Sequence, residues 1–428
     1  MKRFQKLIIA AAALGCLGGT GAGFFFFWPH SLPEVSASAL QATGPALIAR
    51  GQYLTIAADC AACHTTKGGK PFAGGLPFKL PFGTIYSSNI TTDPDHGIGA
   101  WSDAEFVRAV RSGVGVHGEN LYPAFPYASY ALMTTDDILA VRAYLRTLAP
   151  VSEDAPSNSL AFPFNQRWLM RGWNLLFLPS GPFESNPSKD EQWNRGAYLV
   201  EALEHCGECH TPRGLMFQRE QSQALSGSEV DGWKAWNITS DPDSGIGLWT
   251  DDEIASFLSK GHANGHGPAG GPMREAVELS LSKLPTSDIE AIVAYLRTVP
   301  PIESDEKVRV KPKNSIQSTS SKNSPETLGS RIFAGACASC HGLGGNGLVN
   351  GRANIVGAHA LADVDGSNFI RVVLQGSSDS MAASGRTMPA FGAIYNDAEI
   401  AALTNFVISE IGKKKGAVTA EDVAKARE

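Results

Sequence analysis

The sequence predicts a mainly α chain of three small domains in tandem, the first two a duplication, behind an N-terminal transmembrane helix. Three observations lead there. Four sequence blocks recur at an offset between 145 and 151 residues. Three Cys-x-x-Cys-His motifs are spread along the chain, one per candidate domain. An uncharged run of 22 residues, Leu7–Trp28, follows a basic start at Lys2, Arg3 and Lys6. The length of 428 residues has room for two to four domains.

Residues 1–35 read as a membrane anchor or signal. Twenty-two uncharged residues are enough to cross a bilayer as a helix. The basic flank keeps the N-terminus in the cytoplasm and exports everything after Trp28. Phe24–Trp28 would lie at the outer interface, where aromatic side chains collect. Cleavage as a signal peptide, or lipidation of Cys16, are the competing readings, and both also export the chain.

Residues 36–150 and 191–300 are the two copies. Arg50–Gly51–x–Tyr53–Leu54 recurs as Arg195–Gly196–x–Tyr198–Leu199, and Cys60–x–x–Cys63–His64–Thr65 as Cys206–x–x–Cys209–His210–Thr211. The block from Asn89–Ile90–Thr91 to Trp101 recurs from Asn237–Ile238–Thr239 to Trp249. Ala143–Tyr144–Leu145–Arg146–Thr147 recurs as Ala294–Tyr295–Leu296–Arg297–Thr298. A period this long marks a duplicated domain, not a solenoid.

Residues 151–190 form an aromatic-rich connector that holds Phe162–Phe177. It reads either as an internal strut or as a membrane-surface or partner-docking segment. Residues 301–327, rich in Ser, Lys and Pro, are a linker. Residues 328–412 are a third, more compact domain with Cys337–x–x–Cys340–His341, and 413–428 a C-terminal tail. Helical apolar spacing behind Ser, Thr, Asp or Asn predicts helices over Asp103–Gly113, Asp136–Leu148, Asp252–Lys260, Ser287–Val299 and Ala398–Ile411, with loops between.

The composition is globular: 43% hydrophobic, with 45 Gly and 25 Pro that imply many turns. A net charge of −6 excludes a general basic surface for nucleic acid. Seven cysteines are too few for a disulfide scaffold, and six of them fall in the three motifs.

Cys-x-x-Cys-His is the attachment signature of c-type heme. Two thiols within one helical turn reach the two vinyl groups on one porphyrin edge, and the adjacent His lies under the iron. A large apolar group would also fill the core that such small helical domains lack. Zinc or local disulfides would leave the His that follows each pair unexplained. Cys60, Cys63, His64, Cys206, Cys209, His210, Cys337, Cys340 and His341 are therefore the expected attachment and proximal residues for three covalently bound hemes c. Met in a loop before the last helix is the usual sixth ligand. Met388 fits in the third domain, with Met381 as runner-up. Met273 fits in the second, with His262 and His266 near. Met133 is the candidate in the first, though it also reads as a residue packed under the following helix.

Taken together, these residues resemble the triheme cytochrome c subunits of bacterial membrane-bound dehydrogenases. The likeness runs from Gly51 to Arg427, through the Ala58–His64 motif, the two Asn-Ile-Thr blocks, Trp193–Leu199, Cys206–Arg213 and Ala269–Met273. It implies three cytochrome c-type domains, His64, His210 and His341 as proximal ligands, and Met273 and Met388 as distal ligands. One departure stands out. Many members read Tyr-Pro-Ala-Met-Pro-Tyr in the first domain, and here Phe125 replaces that Met. Met133, His117 or no protein group is then left for the first iron.

The resemblance implies an electron-transfer subunit on the periplasmic side of the inner membrane. Its partner would be a catalytic dehydrogenase subunit of flavin, molybdenum/iron–sulfur or pyrroloquinoline quinone type, with a small accessory subunit possible. Electrons would pass to ubiquinone or a terminal oxidase. The first-domain departure resembles molybdenum-associated members, while the second domain and Val418–Arg427 resemble sugar-dehydrogenase members. A stand-alone tethered carrier and a heme enzyme with an open first site are the alternatives. No residue set for substrate chemistry is apparent, and no nucleic-acid partner is expected.

Overall fold

The computed structural model describes residues 20–21, 23–35, 44–304, 327–377 and 387–428. Most of the expected anchor, most of the linker and Met381 lie outside the described residues. Among the described residues no helix is long and apolar enough to cross a membrane. The chain divides into two compact units, residues 1–55 with 63–184, and residues 56–62 with 185–428.

Each of the three motif-bearing regions is built on a crossing of two helices. In the first unit Pro45–Ala57 crosses Thr135–Leu145. In the second, Glu191–Tyr198 crosses Thr286–Leu296, and Leu328–Ile332 crosses Asp397–Glu410. A glycine makes each crossing possible. A Cβ on Gly51 would lie 1.9 Å from the carbonyl oxygen of Ala140, one on Gly196 1.9 Å from that of Ala291, and one on Gly329 2.2 Å from that of Ala402. Only a hydrogen fits there. Beside the first two crossings an arginine binds a buried carboxylate: Arg50 to Asp137 at 2.6 Å and Arg195 to Asp288 at 2.9 Å. The recurrent Arg-Gly pair is thus a packing device.

The middle helices are set by their caps. Ser102 and Glu105 form a capping box for Asp103–Ser112, and Thr250 and Glu253 one for Asp251–Lys260. Both helices stop at a glycine in the left-handed region, Gly113 (φ 62°) and Gly261 (φ 73°). The five helices expected from periodicity all form, with ends shifted by at most three residues.

The stretches expected to be loops hold short antiparallel hairpins as well. Pro77–Leu80 pairs with Gly83–Tyr86, and Ser228–Val230 with Trp233–Ala235. Strands of three or four residues are too short to show alternation in sequence. The Asp231–Gly232 turn, with both residues at positive φ, has the chemistry of a tight hairpin.

The last residues are not a loose tail. Ala420–Arg427 is a helix capped by Thr419 and Asp422, and its Val423 is fully buried in the core formed by Phe333, Ile370, Ile400 and Val407. Arg427 closes the packing with a 2.6 Å bond to Asp397. The connector contributes the helix Leu169–Phe177. Its Trp173 packs edge-on against Tyr127 of the same unit, at 6.0 Å between ring centres.

Candidate heme sites

Each motif sits on a short helix, and in the first two regions that helix restarts after a local break. Asp59 and His205, the residues before the first cysteine, both adopt positive φ (46° and 38°). They end the incoming helix and let Cys60–His64 and Gly207–His210 begin anew. In the second and third regions a π-helical turn precedes the motif, Leu199–Leu203 and Phe333–Cys337. Such turns insert a residue into the helical ladder and recur where a side chain must be re-aimed. Cys206, Cys209, Cys337 and Cys340 are free thiols, outside any disulfide. Burial pushes the thiols up, to about 11 at Cys209 and Cys337 and further at Cys206. Asp59 keeps a buried Oδ1 without a partner, and burial holds its carboxyl well above the usual range.

The three histidines share one geometry. The Nδ1 of His64 lies 2.6 Å from the carbonyl of Ser88, that of His210 2.6 Å from the carbonyl of Trp236, and that of His341 2.8 Å from the carbonyl of Ala353. A carbonyl only accepts, so Nδ1 carries the proton and Nε2 keeps its lone pair. Burial lowers the pKa of His64 and His210, which favours the same neutral form. Each ring is thus oriented and prepared as a single nitrogen donor beside two thiols. Among the described residues no three His, Cys, Asp or Glu side chains converge as a metal-holding group. A donor set of one imidazole and two thiols fits a group that brings its own equatorial ligands, as heme does.

The carbonyl acceptors are held by the Asn-Ile-Thr blocks. Asn89 Oδ1 accepts from the N–H and hydroxyl of Thr91 at 2.9 and 2.7 Å, while its Nδ2 donates to Val151 at 2.7 Å. Asn237 repeats this with Thr239 at 2.8 and 2.7 Å and with Ile302 at 2.7 Å. The block clips the loop under the histidine to the chain leaving the last helix. Ser88 and Trp236, the residues just before each Asn, were not singled out from sequence, because a carbonyl leaves no side-chain signal. Their shared place before a repeated block was the available clue.

Comparison with known proteins gives the same answer. Residues 48–149 match the cytochrome c family model, and residues 325–407 match that of cytochrome c oxidase, cbb3-type, subunit III. The fructose dehydrogenase cytochrome subunit of Gluconobacter japonicus is 38% identical, over 89% of this chain and 82% of its own. The gluconate 2-dehydrogenase cytochrome c subunit of Pantoea cypripedii is 39% identical, over 89% of this chain and 90% of its own. The chain belongs to the multiheme cytochrome c subunits of dehydrogenases. A nicotinate dehydrogenase subunit of Pseudomonas putida is also 39% identical over 89% of this chain, but the match covers only 32% of that longer protein.

The distal candidates of this cytochrome subunit differ in setting. Met388 packs on the third-domain core, and its backbone exchanges two hydrogen bonds with Ser377, at 2.7 and 2.9 Å. Met273 is half-buried in the first turn of Gly271–Leu279. Met133 is buried, 2% exposed, just ahead of Thr135–Leu145, and its carbonyl accepts from Arg111 at 2.9 Å. Phe125 packs against Tyr130, at 5.6 Å between ring centres, and His117 is exposed. His262 lies 3.2 Å from the carbonyl of Lys260. His266 stacks on Trp249 at 3.7 Å with its Nε2 3.4 Å from Glu253.

Proposed function

We propose that this cytochrome subunit carries three hemes c and relays electrons from a catalytic dehydrogenase subunit to ubiquinone or a terminal oxidase, on the periplasmic face of the inner membrane. The reading is carried by the threefold recurrence of one donor geometry, an Nδ1–carbonyl bond of 2.6–2.8 Å on the histidine that follows a Cys pair.

Heme c supplies reversible one-electron exchange at its iron. The chain's own residues do the rest. Cys60 and Cys63, Cys206 and Cys209, and Cys337 and Cys340 would hold the porphyrins covalently. His64, His210 and His341 would present Nε2 to iron, with ring angle and basicity set by the carbonyl bond. Met273 and Met388 would complete the second and third sites, and a thioether there raises the potential. The first site, with Phe125 in place of a Met, would keep a different potential. Potentials that rise from one site to the next would direct electrons along the chain without any substrate chemistry in it. The uncharged run Leu7–Trp28 would tether the subunit to the bilayer.

The test is purification from native membranes in mild detergent, with heme counted per chain and the cofactor of any second chain identified. Three hemes with a flavin, molybdenum or pyrroloquinoline quinone protein are expected. Three hemes with no second chain would make the protein a tethered carrier, and fewer than three would overturn the assignment.

A further inference from the structure

The connector helix Leu169–Phe177 is apolar on two sides. Met170, Trp173 and Phe177 turn inward onto Tyr127, Ala128 and Phe125. Asn174 fixes that face by accepting from the Tyr127 hydroxyl at 2.8 Å and donating to Ser112 at 3.1 Å. Leu175 and Leu176 point the other way and are 70% and 64% exposed. Phe162, 79% exposed, and the partly exposed Phe164 and Trp168 add bare aromatic area to the same connector. A helix with a core-facing stripe and a second bare stripe has something else to bury it against.

The surface is continuous with the end of the N-terminal run. Residues 23–27 are helical and pack on the connector. Phe26 meets Trp168 edge-on at 5.1 Å, and Phe27 lies 5.9 Å from the same ring. Gly172 faces the Phe26 ring, which a Cβ there would meet at an ordinary contact distance of 3.5 Å. Arg171 donates to the carbonyl of Trp28 and sits 5.4 Å over the Phe25 ring. Phe27 and Trp28 are themselves exposed. The chain preceding this point is the uncharged segment 7–22.

Charge narrows the choice of occupant. Between Asp154 and Glu184 there is no acidic residue, and the only charges are Arg167 and Arg171. Nor is there an acidic residue before Glu34. A surface of exposed Phe, Trp and Leu with cationic flanks matches the headgroup–acyl boundary of an anionic bilayer.

We propose that the connector lies in the membrane interface, with Phe162, Trp168, Leu175 and Leu176 inserted in the outer leaflet beside the emerging N-terminal helix. The inference rests on the reading that residues 7–28 enter the bilayer, and it adds a second, in-plane contact. Two contacts instead of one would fix the orientation of the first heme domain over the membrane.

The experiment is lipid photolabelling of the full, heme-loaded chain in vesicles of phosphatidylcholine and phosphatidylglycerol, with a diazirine on the acyl chain and adducts mapped by mass spectrometry. Adducts are expected on 162–177 as well as before Trp28. The double variant L175N/L176N should lose most labelling of 162–177, with the heme spectrum and the N-terminal adducts unchanged. Adducts confined to the N-terminal run would overturn the interface proposal and spare the anchor. Adducts on 162–177 alone would sink the anchor reading and keep the interface contact. Labelling of 162–177 that vanishes in the intact complex from native membranes would assign the surface to the dehydrogenase partner and overturn the proposal.

Discussion

The carbonyl of Trp236 holds the Nδ1 of His210 at 2.6 Å, and the indole of the same residue meets the ring of His359 edge-on at 5.7 Å. One residue therefore orients a candidate heme ligand through its backbone and contacts the next motif-bearing region through its side chain. His359 also meets Trp249 at 5.7 Å, and Trp249 stacks on His266. The second and third regions share this aromatic cluster within one compact unit.

That cluster makes stability depend on pH. Burial, helped by His266, pulls the His359 imidazole down to about 4. The unfolded chain takes up this proton near pH 6.5 and the folded chain only near pH 4. Stability from this group is complete above pH 6.5 and is lost as pH falls towards 4, by about 3 kcal/mol. His359→Phe should flatten that part of the curve, read by chemical denaturation at pH 7.5 and pH 4.5. The remaining titratable groups around the cluster are His266 and Glu253.

Glu204 is expected to act with the opposite slope. It is buried, and burial raises its carboxyl well above the ordinary value, although the Ser280 hydroxyl donates to it at 2.8 Å. The folded chain keeps this proton where the unfolded chain has released it, so stability falls as pH rises above about 4.5. Glu204→Gln keeps the hydrogen bond and removes the titration. A gain on the order of 1 kcal/mol at pH 8 and none at pH 4 is expected from equilibrium unfolding.

Gly196→Ala places a methyl group 1.9 Å from the carbonyl of Ala291. Overpacking against backbone cannot relax by a rotamer change, so the helices must separate. A loss of about 2–3 kcal/mol is expected, seen as a lower melting temperature by circular dichroism. The same change at Gly335, whose Cβ would meet nothing within 4 Å, serves as the control.

Asp288→Asn should cost about 2 kcal/mol, because Arg195 loses a carboxylate that accepts from both its Nε and Nη2, at 2.9 and 3.0 Å. Heme content should stay unchanged, since the pair lies at the helix crossing and not at the motif. Denaturant midpoints with a heme assay separate the two effects.

If Met388 completes the third of the proposed heme sites, Met388→Ala should lower one heme potential by on the order of 0.1 V and leave the others in place. Spectroelectrochemical titration separates the steps. An unchanged titration would remove Met388 from the third iron.

Sequence alone carried far where side chains do the work. The motifs, the duplication and the capped helices Asp103–Ser112 and Asp397–Glu410 were legible because thiols, imidazoles and helical spacing leave a pattern. The arginine and glycine of the repeated Arg-Gly pair were visible, but not their purpose, because a close helix crossing is a property of two distant segments. The acceptors Ser88, Trp236 and Ala353 act through backbone and leave no side-chain signal, although the first two stand just before a repeated block. The helix Ala420–Arg427 was read as a tail because half of its residues are charged, and its one buried residue, Val423, leaves little apolar pattern. The hairpins were missed for their brevity, although Asp231–Gly232 announced one.

The clip made by Asn89 and Thr91 also marks where a module can be cut. Asn89 Nδ2 donates to Val151 and Glu153, and the Thr91 hydroxyl accepts from the Val151 N–H at 3.1 Å. Trimming the first domain at the end of its last helix would strip these partners and loosen the loop carrying Ser88, the anchor of His64. An excised domain that matures with heme must therefore run through Glu153, and its duplicate through Ile302, whose carbonyl fills the same role for Asn237.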